Sequence, residues 1–445
     1  MTILFPEAQP LLWALAPVFT QPTLQRFVTL LAATVLTTGR RTIANVLRTL
    51  HDLAPGHRTS YQRVFSAAQW SSLQLACALS RFVLTHVLPE GLVWLAGDDT
   101  VDGHRGPKVY GKARHRDAVR STRSYTAWRY GHKWVVLCVL VRFPFASRPW
   151  ALPVLVDLYL SPEHNRARRR PHRTPAQIMC RLLRLMLRWF PQRTFLFVGD
   201  AGYGTHEVAR FARRHRARLT LVSKFHPAAN LYEPPPPYRG TGRPRVKGAR
   251  LPKPRQATAS ARLRRRTVGW YGGGRRRVAL TSRCGHWYKS GHGLVPVRWV
   301  FVRDQTGTHR DEYFFSTDPT LAPEQIVTAY TARWNIETTF QELRAHLGLE
   351  TTRGWCRRTV LRAAPCLFGL YTVVAVLFAQ LPAAQQSARV CWPGKTHLTF
   401  SDAVAAVRRC LWEEWVFPQA AGDAAVQKLP PQCRQLVLAA LAPTG

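Results

Sequence analysis

The sequence predicts an α/β protein with a helical N-terminal domain and a mostly β insertion. From residue 91 onward, short and nearly continuous apolar runs are typical of buried strands, and helical patterns at 175–190 and 203–214 flank one of them. Before residue 88, apolar residues recur instead at the spacing of amphipathic helices. The chain has 445 residues, of which 46% are hydrophobic and 11% aromatic, so it is long enough to fold as two or three domains.

Residues 1–88 are predicted to form a helical DNA-binding domain. The pieces "LQRFVTLLAATVL" and "RRTIANVLRTLHDL" have helical periodicity, and Pro55 and Gly56 interrupt the pattern. The arginines available for phosphate contacts are Arg40, Arg41, Arg48, Arg58 and Arg63. Two basic helices joined by a Pro-Gly turn are also common in structural roles, so that alternative stays open.

An α/β domain is predicted in two parts, residues 89–224 and 316–385, on either side of an insertion at 225–315. The first part contains the strand-like runs "GLVWLAGDDT", "KWVVLCVLVRF", "WALPVLVDLYL" and "RTFLFVGD". The insertion starts with "EPPPPYRGTGRPRVKGARLPKPRQ", which predicts an exposed basic loop, and continues with segments typical of β-hairpins. Residues 386–445 are predicted to form a C-terminal helical region.

The charge of the chain indicates a polyanionic partner. There are 64 Lys and Arg against 24 Asp and Glu, which gives a formal net charge of +40. A field of this sign attracts DNA or RNA, with an anionic membrane surface as the competing partner. Further basic segments lie at 104–133 and 164–173.

The cysteines and the N-terminus predict a cytoplasmic protein. The nine cysteines are an odd number without a CxxC pair, and the first residues lack the basic start of a signal peptide. The uncharged stretch at 363–381 approaches the length of a membrane span. It is a single segment in an arginine-rich chain, so a helix buried in the core is the preferred interpretation and no membrane is expected.

The segment "YTARWNIETTFQELR" at 330–344 is predicted to be one helix with a polar face. At about 100° per residue, four polar residues fall within roughly 60° of one another, and these are Tyr330, Arg333, Glu337 and Arg344. A separate apolar stripe would pack on the core, and it consists of Ile336, Phe340, Leu343 and Leu347. The pattern presents one carboxylate among an aromatic hydroxyl and two guanidinium groups.

Three acids in basic surroundings are candidates for a metal centre. Asp99 and Asp200 follow predicted strands, where side chains reach the crevice at the carboxyl edge of a sheet, and Glu337 lies on the helix. Mg²⁺ prefers oxygen ligands, and two such ions about 4 Å apart can cleave and join DNA strands. Taken singly, a strand-end Asp is usually a turn residue and a helical Glu usually a solvated one. Alternation also places Asp98 and Asp99 on opposite faces, and Asp99 is preferred as the ligand.

The order of these patterns resembles a known family. "DDT" after a strand, "GDAGYG" after a later strand and Tyr-x2-Arg-x3-Glu-x6-Lys/Arg on a helix are similar to the DDE transposases of bacterial insertion sequences that carry the YREK signature, the IS-four superfamily. The resemblance covers about 90–355. It implies an RNase H-like catalytic fold interrupted by a mostly β insertion, and cut-and-paste transposition with two Mg²⁺ ions, for which Mn²⁺ can substitute.

Carried onto this sequence, the resemblance implies roles for individual residues. Asp99, Asp200 and Glu337 would hold the metals, and the signature residues that would contact DNA are Tyr330, Arg333 and Arg344. Arg344 departs from the usual lysine, which keeps the charge but changes its geometry. The implied partners are double-stranded DNA at the transposon ends and at the target, and a second copy of the chain on paired ends. The implied location is the bacterial cytoplasm, on the nucleoid.

Trp299, in "VPVRWVFVRD", stands where some relatives place a tryptophan that stacks on a base flipped out of the transposon end. The alternative is a tryptophan that fills the core of the insertion, and Trp270 and Trp287 are weaker candidates for the stacking role. Two rival functions also stay open. One is another RNase H-like nuclease or integrase, and the other is a basic nucleic-acid-binding protein whose acids are structural.

Overall fold

The computed structural model describes residues 4–117, 120–122, 124–238, 240, 242–386, 395, 397–419 and 428–443. Within them, one sheet of 11 strands crosses the molecule in the order β2-β3-β1-β5-β6-β11-β10-β9-β7, with β4 beside β3 and β8 beside β9. The strands are β1 Val93–Gly103, β2 Ala113–Arg116, β3 Trp128–Val141, β4 Trp150–Tyr159, β5 Phe195–Gly199, β6 Leu219–Lys224, β7 Leu231–Tyr232, β8 Arg264–Gly269, β9 Arg275–Lys289, β10 Gly293–Asp304 and β11 Glu312–Ser316. The chain is therefore a mixed α/β protein built on a single large sheet.

The first half of this sheet mixes two strand directions. β4, β3 and β1 are antiparallel neighbours, and β5 and β6 then run parallel to β1. Because β1 and β5 are parallel, their carboxyl ends meet at one edge. β1 continues past the last residue of β5, since Gly97 pairs with Gly199 while β1 extends to Gly103. The strands β1, β2 and β3 therefore project beyond this edge as an arm.

The predicted insertion extends the same sheet. β11 pairs with β6 in antiparallel fashion, and β10, β9 and β8 follow outward in order. Phe314 of β11 pairs with Lys224 at the carboxyl end of β6, and Gly269 pairs with Arg275 at the start of β9. These registers bring the arginine-rich ends of β8 and β9 to the same edge of the sheet as the ends of β1 and β5.

Helices precede the sheet, cover both of its faces and follow it. Their bounds are α1 Gln9–Leu15, α2 Gln21–Leu36, α3 Ile43–Leu50, α4 Arg58–Ser66, α5 Ser72–Phe82, α6 Pro162–Ala167, α7 Pro175–Trp189, α8 His206–Arg214, α9 Pro254–Ala259, α10 Pro323–Ala332, α11 Asn335–His346, α12 Arg357–Gln380, α13 Ala383–Gln386, α14 Phe400–Leu411 and α15 Pro431–Leu441. α10, α11 and α12 pack on one face, while α7 and α8 pack on the other. Of the predicted C-terminal region 386–445, residues 387–394, 396, 420–427 and 444–445 lie outside the described residues.

Local sequence signals explain where several elements begin. α7 starts with a capping box, in which the Thr174 hydroxyl accepts from the Gln177 backbone and the Gln177 side chain accepts from the Thr174 backbone. Pro175 occupies the first helical position, where no N–H donor is needed.

In β3, a Cβ atom at position 131 would lie 1.7 Å from the Asp102 carbonyl oxygen, so only glycine fits there. Gly131 thereby allows β1 and β3 to approach closely at the arm.

The uncharged stretch at 363–381 lies mostly in α12, which spans 24 residues. This helix is long and apolar enough to cross a membrane, but 72% of its most apolar window is buried inside the protein. Thr372 donates to the Pro153 carbonyl of β4, and Phe368 packs edge-on against Trp134 of β3. α12 occupies the position of a core helix, as the sequence indicated.

The prediction of one helix over 330–344 is wrong, because the chain forms two helices with a break at Arg333 and Trp334. At the break, backbone N–H groups donate to the third residue back, from Arg333 to Tyr330 and from Trp334 to Thr331. The Asn335 side chain donates to the Ala332 carbonyl. These contacts satisfy the end of α10 and turn the chain into α11.

Candidate active site

Two adjacent acids of β1, just past its last residue paired with β5, point to opposite faces of the sheet. Asp98 pairs with Val136 and Asp99 with Val135, so alternation separates their side chains. Asp98 faces α11, and Asp99 faces the side covered by α7 and α8. The Asp99 carboxylate is 3.0 Å from the Lys133 Nζ atom. The two acids therefore have different partners in spite of their adjacency.

Arg333 joins Asp98 to Glu337. Its Nη1 atom donates to Asp98 Oδ2, and its Nη2 atom donates to Glu337 Oε1 at 2.9 Å. The Arg333 side chain is only 8% exposed, whereas that of Glu337 is 44% exposed. Because one guanidinium binds both acids, Asp98 and Glu337 face the same space between β1 and α11. The sequence-based preference for Asp99 stays a prediction, and in this structure Asp98 is the acid on the side of the helix.

Burial and neighbouring charges set the protonation of the two adjacent aspartates. Burial raises the pKa of Asp98 to about 7, an effect that Arg333 opposes and that the charges of Asp200 and Asp99 reinforce. Burial also raises the pKa of Asp99, while Lys133 opposes the shift. The charge of Asp200 acts on both groups, so the three aspartates share one electrostatic environment. Such an environment stabilises a bound cation.

Asp200 follows the last residue of β5 and is held by its own loop. Its Oδ1 atom accepts from the backbone N–H groups of Gly202 at 2.9 Å and Tyr203 at 3.3 Å. A Cβ atom at Gly199 would lie 2.6 Å from the Cβ of Tyr203, so glycine is required for this turn. Within the described part of the chain, Oδ2 accepts no hydrogen bond. One oxygen is thus fixed by the backbone and the other is left for a ligand.

Arg344 holds α11 against β1 beside Asp98. Its guanidinium donates to the Thr100 hydroxyl and to the Val101 carbonyl, and its Nε donates to Glu350 at 2.9 Å. Glu350 also accepts from Arg129 of β3 at 2.7 Å. The predicted DNA contact of Arg344 is untested, and in this structure the side chain, 31% exposed, serves to position α11.

Tyr330 and Arg333 are turned inward, and their predicted DNA contacts stay predictions. Tyr330 is 2% exposed and packs on Phe314 at 4.3 Å. The Arg333 guanidinium lies 5.6 Å from the Tyr330 ring, which places aromatic and cation in one buried group. The sequence pattern placed them on one polar face but did not show that other elements cover this face.

The acids fit a hard divalent cation. Asp98, Asp200 and Glu337 supply carboxylate oxygens, which are the ligands that Mg²⁺ prefers, and few of them, which leaves positions for water and phosphate. The Arg333 guanidinium lies between Asp98 and Glu337 and supplies a positive charge that balances them. This donor set differs from the predicted one, which had Asp99 in the place of Asp98.

Trp299 lies in the core of the sheet and not on its surface. It is 1% exposed, lies on β10, and pairs in register with Phe315 and Arg283. Of the weaker candidates, Trp287 packs on Phe225 at 5.2 Å and Trp270 is partly buried. Trp299 therefore fits the alternative role of a core tryptophan, because a base cannot stack on a ring that the protein already covers.

The two N-terminal arginines nearest the start of α3 differ in exposure. Arg40 is exposed, whereas Arg41 is 8% exposed and donates to the carbonyls of Gly39 and His346. Burial lowers the pKa of Arg41 to about 10. The prediction of a phosphate contact is corrected for Arg41, which instead joins the N-terminal helices to the end of α11.

The arm carries exposed aromatic residues that the sequence-based predictions missed. Trp128 and Tyr130 of β3 are 49% and 59% exposed. They pair with Arg116 and Arg114 of β2, and the Arg114 guanidinium lies 4.3 Å from the Trp128 ring. The sequence signal for this surface is the alternation of aromatic residues in "WRY" at 128–130 and of arginines in "ARHR" at 113–116.

Comparisons with known proteins assign the family. A family model described as DDE superfamily endonuclease matches residues 14–277, more than half of the chain. This chain belongs to the DDE superfamily of endonucleases. A second family model, for the archaeal putative transposase ISC1217, matches residues 293–378, which include Glu337. DDE endonuclease and transposase domains thus account for both parts of the chain that supply the acids.

Two further comparisons concern curated proteins and solved structures. No curated protein matches the sequence of this DDE endonuclease. Among solved structures, the chain is similar to a piggyBac transposase synaptic complex with hairpin DNA, at 10% identity and a TM-score of 0.44. That similarity covers 95% of this chain and 77% of the other.

The role of Arg333 can be tested through stability. Arg333→Met keeps much of the side-chain volume but leaves Asp98 and Glu337 without their shared cation. We expect a loss of about 3–5 kcal/mol of unfolding free energy in the absence of divalent metal, because breaking a buried ion pair leaves an uncompensated charge. Mg²⁺ should recover more stability in this variant than in the wild type. Arg353→Met, at an exposed arginine, is the control, and equal melting curves for both variants would contradict the role.

The location of Trp299 can be tested against that of Trp128. Trp299→Ala should destabilise the protein by about 3–5 kcal/mol, because it opens a cavity in the core. Trp128→Ala should change stability by only about 0.5 kcal/mol, as expected for an exposed site. Chemical denaturation of both variants measures the difference. A native-like stability for Trp299→Ala would return Trp299 to the candidates for base stacking.

Proposed function

We propose that this DDE endonuclease is the transposase of a bacterial insertion sequence and is related to the enzymes with the YREK signature. It would bind the terminal inverted repeats of its element and catalyse cut-and-paste excision and strand transfer. The observation that carries this proposal is the convergence of Asp98, Asp200 and Glu337, from two strands and one helix, at one edge of the sheet.

The strand order supports an RNase H-like catalytic core. Three antiparallel strands, β4, β3 and β1, are followed by β5 and β6 parallel to β1, and helices cover both faces. The proposed catalytic domain comprises residues 89–224 and 316–385, and the insertion at 225–315 lengthens its sheet. Its first acid lies in β1, its second after β5, and its third on α11.

Asp98, Asp200 and Glu337 would hold two Mg²⁺ ions, or Mn²⁺ in their place. When bound, the metals activate the attacking oxygen and stabilise the leaving oxygen of a phosphodiester. The protein contributes position: the Gly202 and Tyr203 amides orient Asp200, and Arg344 fixes α11 on β1. Arg333 balances Asp98 and Glu337, so the acids can remain close together before the metals enter.

The DNA would lie along the edge that carries the acids. Exposed arginines of β8 and β9 are brought to this edge by the strand registers, and the segment at 164–173 adds more exposed basic residues. The N-terminal helices at 1–88 would contribute end recognition through Arg40 and other exposed arginines. The net charge of +40 adds a general attraction for the DNA backbone.

A homodimer that binds two paired ends is part of this proposal, as is a cytoplasmic location on the bacterial nucleoid. Both rest on the resemblance to the YREK transposases. Each subunit would engage one transposon end, because one active site acts on one end at a time. Analytical ultracentrifugation with and without duplexes of the element's ends tests the dimer.

Removal of single acids tests the catalytic proposal. Asp98→Asn, Asp200→Asn and Glu337→Gln should each abolish Mg²⁺-dependent cleavage, because each removes one metal-binding charge. Their DNA affinity should remain close to that of the wild type, since none of them changes the basic surface. Cleavage and binding are measured on the same duplex.

Asp99→Asn is the matched control for this experiment, since it removes the same charge one residue away on the opposite face. It should retain cleavage within about tenfold, a loss of roughly 1.4 kcal/mol of transition-state stabilisation or less. If Asp99→Asn is inactive and Asp98→Asn is active, the sequence-based preference for Asp99 is right and the assignment through Arg333 fails.

The basic edge can be tested through salt dependence. A variant with Arg264, Arg265, Arg275 and Arg277 replaced by Gln should bind any duplex more weakly. Its slope of log affinity against log salt should fall by about 0.9 for each phosphate that the variant no longer neutralises. The control replaces Arg81, Arg188, Arg214 and Arg216, which are exposed and precede the amino ends of β1, β5 and β6. Equal slopes for the two variants would place the DNA elsewhere.

Two rival functions predict different results. Another RNase H-like nuclease or integrase would cleave DNA without excising an element, and a strand-transfer assay with paired ends separates it from a transposase. A non-enzymatic nucleic-acid-binding protein would bind DNA without Mg²⁺-dependent cleavage. Membership in the DDE endonucleases favours the enzyme over this second rival.

A further inference from the structure

A buried group of one acid and two histidines lies at the base of the arm. Asp102 and His104 belong to the end of β1 and the residues after it, and His132 faces Asp102 on β3. Their exposed fractions are 0%, 9% and 1%. One potential ligand atom from each residue lies within 4.8 Å of the other two. The group is separate from the acids at the edge, since Asp102 is four residues beyond Asp98, or about 13 Å along an extended strand.

Asp102 uses both of its oxygens within this group. Oδ2 is 3.2 Å from His104 Nε2 and accepts from the Trp134 indole N–H at 3.1 Å. Oδ1 accepts from the backbone N–H of His132 at 3.1 Å. These contacts fix the carboxylate, so its position does not depend on solvent.

His132 presents a bare nitrogen to that carboxylate. Its Nε2 atom is 2.9 Å from the Tyr110 carbonyl oxygen, which can only accept, so Nε2 carries the proton. In the neutral ring, Nδ1 is then an acceptor. It is buried, has no hydrogen-bond partner within the described residues, and lies 3.6 Å from Asp102 Oδ1. Two acceptors that face each other in the interior repel unless a cation or a second proton lies between them.

The surroundings are those of a metal ligand set. Metal-binding histidines usually donate their other ring N–H to a carbonyl or carboxylate, as His132 does to Tyr110. The indole N–H on Asp102 similarly supports a ligating carboxylate. A cavity of about 10 Å³ adjoins His104, His132 and Trp134, which is close to the space of one water molecule. Two imidazoles, one carboxylate and a water complete a tetrahedron of the kind that zinc prefers.

We propose that Asp102, His104 and His132 form a zinc site that fixes the arm to the sheet. The site would hold the loop after β1 through His104 and the loop before β2 through the Tyr110 carbonyl. Its ligands differ from those of the Mg²⁺ centre, because imidazole suits zinc whereas the edge offers carboxylates alone. This inference does not depend on the proposed transposition.

Zinc content of the full-length protein tests the site. The protein is stripped with a chelator, reloaded with Zn²⁺, dialysed and analysed by inductively coupled plasma mass spectrometry. We expect about one tightly held zinc ion per chain and a melting temperature raised by roughly 2–5 °C. The same content should remain in the double variant Asp200→Asn/Glu337→Gln, which removes acids of the Mg²⁺ centre.

The variants His132→Gln and His104→Ala should each reduce the bound zinc to about a tenth of the wild-type content or less. The control is His206→Gln. His206 is also buried, with Nε2 against the Trp287 carbonyl and an unpartnered Nδ1, but no acid groups with it among the described residues. This variant should keep its zinc.

Two results would overturn the proposal: no retained zinc in the reloaded wild type, which would indicate a second proton on His132, or unchanged zinc in both ligand variants. If the variants do not fold, Co²⁺ loaded into the wild type decides. A tetrahedral Co²⁺ spectrum that Zn²⁺ displaces and Mg²⁺ does not supports the site, and an octahedral spectrum or none contradicts it.

Discussion

The active edge depends on charge compensation by a single buried guanidinium. Asp98 and Glu337 come from elements more than 200 residues apart in sequence, and Arg333 binds both. Burial raises the pKa of Asp98 to about 7 even though the Arg333 guanidinium opposes the shift, so without this cation the carboxylate would shift further toward protonation. Arg333 lies at the break between α10 and α11, one helical turn before Glu337, and from there it reaches both acids. The position of α11 on the sheet therefore follows from an electrostatic requirement as much as from its apolar face.

The same arrangement relates the fold to the chemistry. Parallel pairing of β1 with β5 brings Asp98 and Asp200 to one edge, and Gly199 allows the sharp turn that orients Asp200. Arg344 then fixes α11 through Thr100, two residues beyond Asp98 on the same face. Asp200 is thus positioned by its own loop, whereas Asp98 and Glu337 share the Arg333 guanidinium. A centre of this kind can hold its geometry before metal binds, which reduces the reorganisation needed for catalysis.

Periodicity and strand-end chemistry predicted the mixed α/β architecture, Asp200 at the end of a strand and the buried helix at 363–381. Asp98 and Asp99 lie inside β1, which continues to Gly103. The sequence patterns did not distinguish Asp98 from Asp99, because alternation separates the faces but does not say which helix covers which face. The break at Arg333 was missed, since it depends on i−3 hydrogen bonds and on the Asn335 side chain. Arg41 was expected to contact phosphates, and the core and stacking roles of Trp299 were both left open, because burial is decided by distant partners, such as His346 for Arg41. Local sequence does not contain that information.

The scarcity of acids in this chain makes the partners of each one informative. In a protein with 64 basic residues and 24 acidic ones, a buried carboxylate can readily find a guanidinium or ammonium, as Asp98 and Asp99 do. Asp102 instead contacts two imidazoles and an indole, although it lies on the same strand. A neutral imidazole carries no positive charge, so the negative charge of Asp102 is left unbalanced in the interior. A bound metal would balance it, and β1 would then carry two cation sites of different chemistry, one for catalysis at the edge and one for the stability of the arm.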